Sequence, residues 1–299
     1  MTTYSNEDPL VLAPAPWKTK ATAYIIPIWT NSSTASNLPP MAYSPLEAAS
    51  PFASSAYGKP QRSMGMIQLV RYHETPAGPY DEMVLVPGLF SYPVEKTDKN
   101  GNSVKGTKTA RRITRIYVSQ KHTAWNGRRN WNIPKHLARF DWSENSPSPG
   151  LTTVKVYPHD TSVPYNPSED TPSKEPFFSC TLQSVKYVPS FPFRSSWLRY
   201  TGFDMNLVQP PVPDASGKTK FSELVGRRWV MVDDFYQASS RTSLVWADLR
   251  QSGGETQTKE GEYEKFWPGM PRWVVAVKLE DGAIELGEGK TWATPRSLL

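Results

Sequence analysis

The sequence has little cysteine, little histidine and no long apolar run. One cysteine, Cys180, occurs in 299 residues. A lone cysteine cannot close an internal disulfide, which favours a reducing compartment. The four histidines, His73, His122, His136 and His159, are scattered, and with one cysteine they give no zinc-ligand spacing. No metal site is therefore expected. No stretch approaches the roughly 18 apolar residues of a membrane-spanning helix, so no membrane partner is expected. The opening MTTYSNEDPL has neither a basic start nor an apolar run, so it does not read as a secretory signal, and the cytosol is the expected location. G-x-S-x-G, the P-loop, the dinucleotide fingerprint and H-E-x-x-H are also missing, which removes the usual motif-based routes to hydrolase, nucleotide-binding and metalloprotease functions.

Charge excludes little. The 34 basic and 28 acidic residues leave a net +6. The densest basic cluster is Lys96, Lys99, Lys105, Lys108, Arg111, Arg112 and Arg115, beside the turn-like Asp98-Lys99-Asn100-Gly101-Asn102. It reads as a solvated hairpin tip. Net charge alone argues solubility and steering, and without interleaved aromatics on one element no nucleic-acid partner is expected.

What the chain does have is proline, 29 residues, and aromatics, 12%. Short, proline-bounded apolar runs favour strands over helices. Strands are expected at 22–29, 64–72, 82–86, 113–118, 152–156, 178–188, 229–236 and 273–279, with a short one at 284–286. Short helices are expected at 44–49, behind a Ser-Pro start, and at 134–139, with Pro134 in first position. Polar joints at 31–40, 98–109, 143–150, 160–176, 209–220 and 250–262 are spread evenly. Even spacing argues for one domain over 1–299, decorated by long loops that can serve as lids, and not for two linked domains. A chain of this length buries roughly three quarters of its unfolded surface, enough for a core without staples.

Two segments carry candidate chemistry. In Asn126–Phe140 one lysine, Lys135, lies among Trp131, Ile133, Leu137, Ala138 and Phe140 and near Arg128, Arg129 and His136. Desolvation and neighbouring cations both favour the free amine, and a free amine forms a Schiff base with a carbonyl compound. Taken alone, Lys135 also reads as a solvated lysine after a turn. In Tyr72–Leu85 a Pro-Gly turn joins two strands, and Glu82 opens the second. A carboxylate there can orient a lysine or move protons, or simply face water at a strand edge. Cys180 sits in an apolar run and reads as buried and inert.

Together, Gly78-Pro79-Tyr80-Asp81-Glu82 and the later Gly127-Arg128 followed by Pro134-Lys135 resemble the acetoacetate decarboxylase-like superfamily. Ala15-Pro16-Trp17 and Phe266-Trp267-Pro268-Gly269 are similar to a fungal branch of it. The resemblance implies a mainly β, antiparallel barrel with few short helices and a mostly apolar central cavity. It places Lys135 at the Schiff-base lysine and Glu82 at the active-site glutamate, with Arg128, His136, Tyr80 and Trp131 around the substrate. It implies a lyase acting on a β-keto acid or related carbonyl metabolite, with no cofactor, because the protein iminium is itself the electron sink. It also suggests a homo-oligomer. Decarboxylation is the first expectation. Aldol, dehydration or isomerisation chemistry on a secondary metabolite, and a non-catalytic carrier of an apolar metabolite, stay open. Three positions depart from the familiar pattern: His136 stands where a second lysine is usual, Arg129 where an acid is usual, and no arginine precedes Arg62. Arg62 and Arg71 are the candidates to replace the missing N-terminal arginine.

Overall fold

The structure is a computed structural model that describes residues 7–54, 56–97, 103–144, 150–159, 171–214, 224–225, 228–232, 235–251 and 265–293. Nine strands form a closed ring in simple chain order: β1 (Trp17–Thr30), β2 (Ser63–Glu74), β3 (Tyr80–Val86), β4 (Arg115–Val118), β5 (Lys135–Glu144), β6 (Leu151–Pro158), β7 (Phe178–Ser184), β8 (Tyr236–Asp248) and β9 (Trp273–Leu286). Closure comes from β9 pairing with β1, and from β8 pairing with both β7 and β9. The expected mainly β barrel with few short helices is thus the observed fold.

An odd ring has a consequence. Antiparallel neighbours reverse direction at every step, so nine strands cannot close unless one pair is parallel. That pair is β4–β5, with Ile116 opposite Lys135 and Val118 opposite Leu137. A parallel pair needs a crossover, usually helical, and the helix Lys121–Trp131 supplies it. The exceptional joint of the barrel therefore delivers Lys135 as the first residue of β5.

This corrects the expected helical turn at 134–139. The helix lies earlier and ends at Asn132, which takes a left-handed φ of 54° as its cap, a conformation asparagine tolerates. Pro134 then turns the chain into a strand. The crossover helix went unread because its buried face is polar: His122, Thr123, Asn126 and Gly127 precede Trp131. Two of these side chains, His122 and Asn126, meet backbone, and His122 Nδ1 accepts from Val11 N at 3.2 Å. Asn126 Oδ1 accepts from Ala13 N at 2.8 Å, and its Nδ2 donates to Val11 O at 2.7 Å. The helix so docks the N-terminal segment without an apolar stripe.

Other boundaries moved. The expected 229–236 strand is two elements, Arg228–Val232 and β8, and β8 runs on through the polar stretch Ser239–Ser243. The separate 273–279 and 284–286 strands are one, β9. Asp281-Gly282, which reads as a break, sits where the register against β1 shifts. The expected short helix near 44–49 is present at Pro45–Ala48. The basic hairpin exists, as paired strands Leu89–Thr97 and Ser103–Arg111, while its turn at 98–102 lies outside the described residues. Lys108 is exposed, but Arg111, Arg112 and Arg115 are buried, so that end of the cluster is not a solvated tip. Most of the joints at 160–176, 209–220 and 250–262 also lies outside the described residues.

Two large apolar clusters share the barrel strands. The first draws on all nine, from Tyr24, Ile67 and Leu85 round to Val245 and Ala276, and includes Cys180. Tyr24 on β1 and Trp142 on β5 meet within it, their rings 6.2 Å apart. The second lies on the opposite face of β1–β4 and includes Trp17, Val70, Tyr80, Val84, Ile116 and Trp131. It is covered by the crossover helix and by a five-stranded sheet whose Leu207, Val230 and Val232 reach into it.

Candidate active site

Hairpin register builds half of the site. Tyr72 on β2 lies opposite Tyr80 on β3, and Val70 lies opposite Glu82. Alternate residues share a face, so Tyr80, Glu82 and Val84 all point into the second cluster. Their rings make Tyr72 and Tyr80 a stacked pair, with centroids 4.5 Å apart. The other half comes from the parallel joint, where Lys135 enters one strand away from β3.

The two halves converge on one nitrogen. Lys135 Nζ lies 2.7 Å from Glu82 Oε2, 3.0 Å from Thr123 Oγ1 and 3.2 Å from the Tyr80 hydroxyl. An ammonium has three donors, and these are three partners. Tyr72 donates to Glu82 Oε1 at 3.2 Å, and Tyr80 approaches Oε2 at 3.4 Å. Lys135 and Glu82 are 5% and 4% exposed, so this is a buried pair and not a surface contact. Burial and then the Glu82 charge push both Tyr72 and Tyr80 well above the usual phenol range. Both therefore stay protonated and act as donors to the carboxylate.

Gly127 makes room for this lysine. A Cβ at Gly127 would stand 2.7 Å from Lys135 Cδ and 2.9 Å from Cε. The helix thus lies directly on the lysine stem, and Thr123, one turn earlier, reaches its tip.

Beyond the pair lies a cavity of about 50 Å³. Trp17, Met66, Val86, Ile116, Trp131 and Leu286 form its apolar wall, and Lys135, Glu82, Tyr72 and Tyr80 its polar one. Arg111, Gln68 and Gln237 also line it. It lies within the second cluster, off the apolar centre that all nine strands share, whereas the resemblance implied a central cavity.

The sequence-derived candidates thus divide. Lys135, Glu82, Tyr80 and Trp131 line one cavity. Arg128 and His136 do not; they converge on Glu47 of the Pro45–Ala48 helix, at 2.9 Å from Arg128 Nη1 to Oε1 and 2.7 Å from His136 Nε2 to Oε2. Residues alternate along a strand, so His136 must face away from Lys135. Burial alone would raise the Glu47 carboxyl, but His136 and Arg128 outweigh it and hold it at about 2. The Arg128 charge expected to activate Lys135 is turned toward Glu47 instead. Arg71 lies over the Trp142 ring and beside Asp81, and Arg62 is exposed; neither lines the cavity. Cys180 is buried, and burial pushes its thiol up. Sequence reading missed Tyr72, Thr123, Glu47 and Arg111. Hairpin register across the Pro-Gly turn would have found Tyr72; the other three depend on how distant segments dock. Among the described residues no group of three or more His, Cys, Asp or Glu is arranged to hold a metal ion.

No family model matches the sequence, and no curated protein matches it either. Solved structures do match. One is an acetoacetate decarboxylase from Legionella pneumophila, at a TM-score of 0.52 and 14% identity over 96% of this chain and 92% of that chain. Another is an acetoacetate decarboxylase-like enzyme from Sphingomonas wittichii, at 0.52 and 10% over 94% of each. At these identities the likeness is one of fold, and it spans nearly the whole chain.

Proposed function

We propose that this protein is a cofactor-independent enzyme of the acetoacetate decarboxylase-like type, with Lys135 as Schiff-base nucleophile. The observation that carries the reading is a buried lysine amine 2.7 Å from a buried carboxylate on the wall of an apolar cavity. The shared fold supports it. The similarity of 15–17 and 266–269 supports a fungal branch, the family resemblance supports a homo-oligomer, and the lone cysteine supports a reducing compartment such as the cytosol.

The steps follow from the contacts. Glu82 takes a proton from Lys135 across their hydrogen bond, and Tyr72 and Tyr80 steady the carboxylate. The free amine adds to a ketone, and the carboxylic acid returns the proton to the carbinolamine oxygen as water leaves. The iminium then withdraws the electron pair of a breaking carbon–carbon bond; with a β-keto acid, carbon dioxide departs and an enamine remains. Protonation at carbon and hydrolysis restore the amine. The same enamine can instead add to an aldehyde, so aldol and dehydration chemistry share this site. Glu82, not a neighbouring cation, is the group that acts on the amine in this scheme, since Arg128 is committed to Glu47.

The test is reductive trapping. The protein is incubated with β-keto acids and β-diketones, treated with borohydride and mapped by peptide mass spectrometry. The expected result is an adduct on Lys135 that disappears in Lys135→Ala. Absence of an adduct with every carbonyl compound would sink the Schiff-base reading and leave a binding protein for an apolar metabolite.

A further inference from the structure

Among the described residues that line the Lys135 cavity, all but three are buried; Met205, Phe235 and Leu286 are partly exposed. The three mark one side. Met205 and Phe235 also line a surface groove of about 620 Å³, and so does Glu285, the chain neighbour of Leu286. Only side chains separate cavity and groove at this point. Met205, Phe235 and Leu286 all pack on the margin of the second apolar cluster, and methionine is unbranched and adapts its shape readily.

The backbone around them is pinned. On the groove side, Ser195 Oγ accepts from Gln237 N at 2.9 Å, and Asp204 O accepts from Arg111 Nε at 2.9 Å. Gln237 and Arg111 both line the cavity. Phe203 lies against the Arg111 guanidinium, 3.6 Å from the ring centroid to Cζ. Groove wall and cavity wall are thus one packed unit with an apolar seam through it.

Size limits what reaches Lys135. A water-sized group needs roughly 10–15 Å³ of such space, so a cavity of about 50 Å³ takes about four. That is the reacting end of a ketone, its carbonyl with a carbon on either side. The groove falls within the range of about 300–1,000 Å³ usual for small-molecule sites. Phe203, Met205 and Phe235 give it an apolar lining, and its charged groups are Arg199, Asp204 and Glu285. One cation against two carboxylates disfavours an anionic occupant.

We propose that Met205, Phe235 and Leu286 form the mouth of the active site, and that the groove holds the non-reacting part of the substrate. The substrate class is a ketone with an extended, uncharged, partly apolar tail. Binding energy from such a tail is available to place the carbonyl at the amine. The inference rests on the Schiff-base reading of Lys135 for the reacting end alone; mouth and groove stand on their own geometry.

Two measurements test this. The single native cysteine is buried, so Ser196→Cys puts a uniquely reachable thiol in the groove, and pyrene maleimide fills the groove from there. Relative to the unlabelled variant, labelling should cut borohydride trapping of pentane-2,4-dione on Lys135 at least tenfold without shifting thermal unfolding. Undiminished trapping in fully labelled protein overturns the mouth. The second measurement needs no covalent step. By calorimetry, 4-phenylbutan-2-ol, which cannot form an imine, should bind at least tenfold more tightly than butan-2-ol, the gain of burying a phenyl group. It should also bind at least tenfold more tightly than its para-carboxylate derivative, and Asp204→Asn with Glu285→Gln should narrow that second gap. Equal affinity for the alcohols with and without the tail, a carboxylate tail bound as tightly as the neutral one, or a tail preference that survives the pyrene label overturns the proposal. A tail preference that the label abolishes, without any Lys135 adduct, would retain mouth and groove and reject the Schiff base.

Discussion

The bare Cα of Gly127 rests against the stem of Lys135, close enough that a single methyl group would overlap Cδ and Cε. Alanine is otherwise the better helix residue by about 1 kcal/mol, so Gly127→Ala separates stability from function. We expect a folded protein in which Lys135 is displaced from Glu82. A misplacement of about 1 Å can cost on the order of 100-fold in rate. Steady-state kinetics, or the yield of the borohydride adduct, reads the loss; unchanged values would mean the helix yields instead of the lysine.

Glu82→Gln keeps the shape of the site and removes its proton carrier. General acid–base groups contribute on the order of 100- to 10,000-fold, and a fall in that range is expected in kcat. The amide also leaves the Lys135 ammonium without its counter-charge, so thermal unfolding is recorded alongside. A variant with wild-type kcat would assign the proton transfers elsewhere.

Glu47 holds the crossover helix and β5 to the Pro45–Ala48 helix through Arg128 and His136. Removing one partner of a buried ion pair costs about 3–5 kcal/mol, so Glu47→Gln is expected to lower the unfolding free energy by about that much. A surface-like loss below about 1 kcal/mol, the range of exposed pairs, would contradict the buried network.

The same carboxylate sets an acid limit. Its folded value of about 2 lies below its ordinary 4.5, so the folded state favours the ionised form. Its contribution is complete above 4.5 and is lost as pH falls through about 2. Denaturation curves at several pH values should show stability falling across that window in the wild type, with a shallower fall in Glu47→Gln. An equal slope in both proteins would show that other carboxyls govern acid unfolding.

Cys180 is 1% exposed, and burial raises its thiol. The thiolate is the reactive form. Aromatic disulfide reagents should leave it untouched in the native protein and modify it at the rate of unfolding in denaturant. Fast modification under native conditions would place it in a reachable site.

Sequence by itself determined the material of the fold and the central pair. Proline-bounded apolar runs marked most of the strands, because a strand's period of two is written locally. Lys135 and Glu82 were legible because each sits in an unusual local setting, a lysine after Pro134 in an apolar run and an acid opening a strand behind a Pro-Gly turn. The meeting of the two was not legible. Lys135 and Glu82 are 53 positions apart, and their 2.7 Å contact exists because a nine-strand ring needs one parallel joint, whose crossover helix presses Thr123 and Gly127 onto the lysine. That helix was invisible to hydrophobic periodicity because it buries polar side chains against backbone. The roles of charge were likewise decided in three dimensions. Arg128 and His136 are neighbours of Lys135 in sequence, yet they turn to Glu47, while Arg111, which reads as hairpin surface, is drawn into the cavity by the packing of a second sheet. Local sequence sets which face a side chain takes along its own element; what it meets there depends on the docking of segments far apart in the chain.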